Sequence, residues 1–272
     1  MTWRICLFKL YLANMKNNFL PNTKSEFLKT KRTAAIWLVL LAAAFLPAIN
    51  ALILINRPDV FVSRLYNNPW LILFYMIWKN GAAIILPIFV ILICSIIVQI
   101  EYKNNTWKQV YASPRTYADI FFSKFVMVQV FVLSFFILFT FFTIVSGYVV
   151  NLFQSGYLFA SHPFRFKAML IVISRVYAGI LCVTAIQYWL SMRFKNFIVP
   201  LGIGISLLVA GLILTDWEKI VYYPYMYSLN LFFVGAPGHT GTLTLLLVNS
   251  FTCFIVALSA GWLDIYKRKG VW

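Results

Sequence analysis

"GAAIILPIFVILICSIIVQIEYKNNTWKQVYASPRTYADIFFSK", residues 81–124, changes character in its middle. The first twenty residues carry no charge. The next twenty-four hold a proline, two acids, four basic residues and a tryptophan, and then the chain turns apolar again. A bilayer core is about 30 Å thick and takes about 20 mostly apolar helical residues. The first part therefore reads as a membrane span and the second as a polar connection to the next span.

The whole chain agrees with that reading. Of its 272 residues 62% are hydrophobic and 11% are charged, whereas soluble domains carry about 25% charged residues. The formal net charge is +16, from 23 Lys+Arg and 7 Asp+Glu. These charges lie between apolar runs rather than on one soluble module, so they speak for orientation in a lipid bilayer and not for nucleic acid. The opening "MTWRICLFKLYLANMKNNF" has no uninterrupted apolar core and no small-residue cleavage site, so a cleavable signal peptide is not expected.

Six spans are predicted, over 34–55, 81–100, 120–146, 168–190, 197–214 and 243–263. The apolar "NPWLILFYMIW" before the second is either an interfacial helix from Pro69 or the outer end of a long, tilted span. Six spans put both termini on one side. That side would carry sixteen of the basic residues and the other only six, with Arg175 inside the fourth span. The positive-inside rule places the sixteen in the cytoplasm. The expected fold is thus an all-α membrane protein with six transmembrane helices and both termini cytoplasmic. Ile5, Phe8, Leu12, Met15 and Phe19 recur at helical spacing, with Lys9, Lys16 and Asn17 between them. This predicts an N-terminal amphipathic helix in the interface; the alternative is a basic flank that only sets topology. "TKSE" at 23–26 fits a capping box for the helix that follows. The expected divisions are 1–33 (amphipathic helix), 34–264 (spans) and 265–272 (basic tail). Within the spans lie a polar segment at 101–118 and an outer segment at 215–242.

Several chemistries are missing. The chain has no G-x-x-x-x-G-K-[ST], no H-E-x-x-H and no G-x-S-x-G. "GAPGHTGT" at 235–242 lacks the lysine of a phosphate loop and reads as a loop. His162 and His239 fall in predicted outer loops, and no metal site is expected. Cys6, Cys94, Cys182 and Cys253 form no C-x-x-C pair. They read as small buried apolar residues rather than as metal ligands or disulfide partners. Transporters driven by protons or sodium tend to keep ionisable groups near the bilayer centre. Here the spans are nearly free of acids, with Asp119 and Asp264 at their cytoplasmic ends, so an energy source outside the chain is favoured.

Three sets of residues remain as candidates. Arg175 sits about two turns inside the fourth span and either contacts a substrate or lipid phosphate or snorkels outward. Thr140, Gln187 and Asn249 either glue helices together or, with Arg175, line a path. Gly202, Ser206 and Ala210 form a small-residue stripe at i, i+4 and i+8. The stripe serves packing within the bundle or a seam between two copies. In the polar segment, Glu101 and Tyr102 lead into a helix-compatible run with Trp107 and Tyr111, and Pro114 ends it. The implied shape is a short helix across the membrane surface and then a corner, with an aromatic side chain suited to a groove in a partner.

Residues 101–124 resemble the segment after the second span of type-2 ABC exporter permeases, the six-span membrane subunits of ATP-binding-cassette systems. Glu101-Tyr102 match the family's acid–aromatic pair, Thr106-Trp107-Lys108 its "GTWK"-like core, Ser113-Pro114-Arg115 its corner, and Lys124 its lysine. Asn105 stands where the family usually has glycine. "SEFLKTKRTAAIWLVLL" (25–41) and "WEKIVYYPYMYSLNLFF" (217–233) are also similar to family segments. The resemblance implies a permease with no catalysis of its own and no cofactor of its own. ATP and Mg would be held by a partner P-loop ATPase. It implies a coupling helix at 101–115 in an ATPase groove, using Glu101, Tyr102, Thr106, Trp107, Lys108, Tyr111, Pro114 and Arg115. It implies a connecting helix at the N-terminus, pairing with a second copy or a related permease through spans one and five, and a short outer structure over 217–241 that caps the exit path; Trp217, Tyr222, Tyr223, Tyr225 and Tyr227 there also fit an aromatic belt at the interface. The setting would be a bacterial plasma (inner) membrane. The substrate would be amphipathic or hydrophobic: an antimicrobial peptide, lipid or drug. The rival readings are an ATPase-independent secondary transporter or channel, and a membrane-bound enzyme or scaffold. The last would need nucleophiles or metal ligands converging on one leaflet, and none converge in the sequence.

Overall fold

The computed structural model describes residues 27, 30, 33–103, 116–235 and 242–267, and among them every regular element is a helix. The expected N-terminal amphipathic helix, most of the coupling segment and residues 268–272 of the basic tail lie outside the described residues. Among the described residues, five helices are long and apolar enough to cross a membrane.

Helix α1, Ala35–Asn56, buries Ala35, Val39, Ala43, Pro47, Asn50 and Leu54, one face repeating every three to four residues. This face packs on the long helix Tyr117–Phe153, while Trp37, Leu41 and Leu52 point out, each at least 60% exposed. In a membrane protein such residues face lipid tails, so their exposure carries no hydrophobic cost. The short α2, Pro58–Leu65, and α3, Pro69–Asn80, both start with proline, whose fixed φ suits a first turn.

Helix α3 does not end in an interfacial turn. It runs through a π-turn, Gly81–Ile85, into α4, Leu86–Lys103. The second span is therefore the longer of the two alternatives, with Pro69–Ile100 forming 32 residues of continuous apolar helix. The π-turn has a cause in sequence. The Leu86 N–H bonds to Gly81 O, one residue further back than in an α-helix. The next bond in that register would need an N–H on residue 87, which is proline.

Helix α5, Tyr117–Phe153, is 37 residues, about 55 Å. Its buried Phe135 stacks on Phe89 of α4 at 4.7 Å and on Phe139 at 5.2 Å, and Phe139 meets Trp78 edge-on at 4.9 Å. A 3-10 turn, Ser155–Tyr157, closes its far end. There the Tyr157 hydroxyl donates to Leu54 O at 2.7 Å, tying α5 back to α1. Burial holds that phenol above its usual pKa range, and the Asp59 carboxylate adds to the shift.

Helix α6, Phe166–Arg193, lies at the centre and packs on α4 and on the final helix α9, Leu243–Lys267. Between them comes α7, Ile198–Ile213. At 16 residues it spans about 24 Å, short of a bilayer core, where the sequence predicts a full fifth span over 197–214. After α7 the chain folds back through two 3-10 turns, Ile220–Tyr222 and Pro224–Met226, into the seven-residue α8, Tyr227–Phe233.

Cys182 of α6 and Cys253 of α9 are joined as a disulfide, with Cα atoms 5.6 Å apart. This departs from the reading of both as plain apolar residues. They are 71 positions apart, and the sequence had no way to register one helix against the other. Cys94 fits the expected reading: it is buried and free, with its Sγ 3.8 Å from Thr184 O.

Candidate functional site

Two regions gather the polar side chains of the bundle. The first is the end at which α4 finishes and α5 begins. Tyr102, in the last turn of α4, donates its hydroxyl to Met192 O of α6 at 3.3 Å. One turn earlier, Gln99 Nε2 donates to Lys195 O at 3.0 Å. Arg193 of α6 forms an ion pair with Asp264 of α9, whose carboxylate also accepts from Trp189 Nε1 at 3.3 Å. Tyr188 of α6 donates to Phe121 O of α5 at 2.7 Å, fully buried. The start of α5 is fixed by a capping box. Thr116 Oγ1 accepts from Asp119 N–H at 3.1 Å, and the Asp119 carboxylate accepts from Thr116 N–H at 3.3 Å. Lys124, one turn on, is 1% exposed.

Of the predicted coupling residues, Tyr102 is thus anchored on α6, and Glu101 lies in the last turn of α4. Thr106, Trp107, Lys108, Tyr111, Pro114 and Arg115 lie outside the described residues. On the α4 side Tyr102 is bonded to α6, and on the α5 side Phe121 O accepts from Tyr188 of α6.

The second region is built around the folded-back segment. Gln187 of α6 is fully buried, and its Nε2 donates to the Tyr225 hydroxyl at 2.7 Å. Its Oε1 has no partner among the described residues. The amide fits because residue 204 of α7 is glycine; a Cβ there would collide with it. Tyr223 donates to Leu207 O of α7 at 2.7 Å, and Asn249 of α9 donates to Val221 O at 3.3 Å. The two turns and α8 are therefore held from three helices at once. Residue 179 is glycine for a comparable reason. A Cβ there would lie 2.7 Å from the backbone nitrogen of Ser228, so only glycine lets α8 sit against α6.

The four predicted path residues do not converge. Gln187 and Asn249 both hold the folded-back segment. Thr140 donates to Phe136 O of its own helix at 2.8 Å, and no hydrogen bond joins it or Arg175 to the other two. Arg175 is half-buried on α6, with no hydrogen bond or ion pair among the described residues. Of the stripe, Gly202 and Ser206 are exposed and Ala210 is half-buried. A Cβ on Gly202 would meet nothing within 4 Å. Among the described residues nothing packs on Gly202, while Ala210 is partly covered. The buried face of α7 is instead Pro200, Gly204, Leu208 and Gly211.

The sequence places Tyr225 in the outer segment over 217–241 but does not join it to Gln187, and it does not single out Ser228, Gly179 or Gly204. The signal for Ser228 was there: a run of aromatic and hydroxyl residues too polar for a span, bounded by Trp217 and Gly235. The two glycines announce nothing until the segment that presses on them is placed.

A family model described as an ABC-2 family transporter protein matches residues 23–211, which include the polar segment and α1 to Gly211 of α7. No curated protein and no solved structure matches. The resemblance seen in residues 101–124 is borne out over more than half of the chain. The chain belongs to the ABC-2 transporter family and is an integral membrane transport component.

Proposed function

We propose that this ABC-2 family member is the membrane-spanning permease subunit of an ATP-driven exporter. A separate P-loop ATPase supplies the energy and holds ATP and Mg; the chain itself holds no cofactor. The substrate is amphipathic or hydrophobic, of the class of antimicrobial peptides, lipids or drugs. The chain resides in a bacterial plasma membrane, with six spans counting the short α7 and with both termini cytoplasmic.

The observation that supports this reading best is the anchoring on both sides of the 104–115 segment. On the α4 side Tyr102 is bonded to α6, and on the α5 side Thr116 and Asp119 lock the helix start. A load applied to that segment by a closing ATPase passes directly into α4 and α5. It passes into α6 through Tyr102 and Tyr188, and from α6 into α9 through Arg193 and Asp264. A segment of this kind serves as a coupling helix, with Trp107 as its anchor in the ATPase groove. The stripe of Gly202, Ser206 and Ala210, exposed at its first two positions, serves as the seam to a second permease copy or a related permease. The folded-back segment caps the exit path as a re-entrant structure, with its free backbone groups satisfied inside the protein.

Reconstitution into liposomes with and without the partner ATPase tests the proposal. Substrate movement that needs both ATP and the ATPase supports it. Movement down an ion gradient by the chain alone overturns it and makes the chain a secondary transporter.

A further inference from the structure

Two hollows meet at Leu71, at the end of the bundle opposite the coupling segment. One is a cavity of about 230 Å³ whose polar wall is made by Asn67, Asn68, His162 and Arg165. The other is an apolar groove of about 320 Å³ between α3, α6 and α8, walled by Tyr75, Val172 and Phe232. Leu71 lines both. The cavity's back wall is rigid. Trp70 donates to Phe159 O at 2.9 Å and is held edge-on by Tyr148, Phe159 and Phe164, all about 5 Å away.

The charge that lines the two hollows has one sign, since Arg165 lines the cavity. Lys167 lines a neighbouring hollow that shares Arg165. Both side chains are exposed, with no ion pair or side-chain hydrogen bond among the described residues. Lys79 lies over the Phe233 ring at 5.9 Å on the groove side. No acid lines either hollow. His162 Nδ1 is 3.1 Å from Leu158 O; a carbonyl only accepts, so Nδ1 carries a proton there.

The depth also fits a lipid. From Arg165 to Arg193, α6 covers about 42 Å, close to the thickness of a bilayer with its headgroups. With Arg193 in one headgroup layer, Arg165 lies in the other. Val172 is then about 10 Å further in, at the level of acyl chains.

We propose that the cavity and the groove form one site for an anionic phospholipid, the phosphate at Arg165 and Lys167 and one acyl chain along Leu71, Tyr75 and Phe232. The lipid would brace α8, and with it the folded-back segment, against α3. The site does not depend on the transport reading.

The test is native mass spectrometry of the full chain, released from detergent with phosphatidylglycerol, phosphatidylcholine or water-soluble glycerol phosphate. The expected result is one phosphatidylglycerol retained in preference to phosphatidylcholine. In the Arg165→Ala, Lys167→Ala chain that preference falls on the order of tenfold, since each cation near the surface contributes to anionic-lipid affinity. Both side chains are exposed, so the variant keeps its fold. Narrowing the groove with Val172→Trp also removes the retained lipid. Equal retention of the two lipids, or a preference that survives loss of both cations, overturns the proposal. So does glycerol phosphate displacing the lipid at equal concentration, which would make this a site for a soluble anion.

Discussion

Ser228 of α8 donates its hydroxyl to Ala82 O of the π-turn, 2.9 Å away and 146 positions earlier in the chain. That carbonyl is the one the π register would pair with residue 87, and Pro87 has no N–H to offer. A bond lost to proline in one helix is thus replaced by a hydroxyl from the folded-back segment. Ser228→Ala leaves a buried carbonyl unpaired and is expected to cost about 1 kcal/mol or more in detergent. In a Pro87→Ala background the new N–H supplies the bond, and the same substitution should cost much less. Thermal unfolding of the four chains of this cycle checks it; equal costs in both backgrounds would show that the bond does not hold α8.

Gly179 and Gly202 should respond in opposite ways to alanine. At 179 the added Cβ meets the Ser228 backbone at 2.7–2.8 Å, and backbone cannot rotate aside. Gly179→Ala is expected to destabilise by about 1–3 kcal/mol, as overpacking does, and to loosen α8. At 202 the Cβ meets nothing within 4 Å among the described residues. Gly202→Ala should leave the unfolding of the isolated chain unchanged, so a loss of pairing between copies would report the seam alone.

The Arg193–Asp264 pair is partly exposed, with side chains at 39% and 19%. Solvent screening limits its contribution, and a double-mutant cycle should give about 0.5–1 kcal/mol. That coupling should shrink as salt rises from 0.1 to 1 M by the shorter screening length. A salt-independent coupling would contradict the reading of this pair as screened by solvent.

Labelling of thiols checks the Cys182–Cys253 bond. The chain has four cysteines. Unfolded without reductant, it should expose at most two to alkylation, and four after reduction. Four in both states would show two thiols that are neighbours without being joined.

The helical architecture was legible because apolar runs of span length leave little choice in a bilayer. The start of α5 was partly legible, since Asp119 falls at the cytoplasmic end of the third span, whereas its box with Thr116 was not read. The true extent of the second span was not. Nothing within "NPWLILFYMIWKNGAAII" distinguishes an interfacial helix from a span until Ser228 and Phe139 are packed against the π-turn. The site was half legible for a similar reason. Gln187 stood out as a polar residue in a span, but its partner Tyr225 comes from a segment read as an outer cap. Arg175, the most conspicuous charge in the sequence, has no partner among the described residues. Cys182 and Cys253 pair through helix register, which local pattern does not encode.

The central claim is that the segment between α4 and α5 seats a separate ATPase. The direct measurement is purification of the tagged chain in gentle detergent, with mass identification of what accompanies it, for the native chain and for Trp107→Ala. The account predicts a stoichiometric P-loop ATPase with the native chain and its loss from Trp107→Ala, with the helical content of the permease unchanged. An ATPase that stays bound with full ATP-driven transport in Trp107→Ala would contradict the coupling assignment. A native chain that purifies alone, under conditions that preserve known transporter complexes, would contradict the account as a whole.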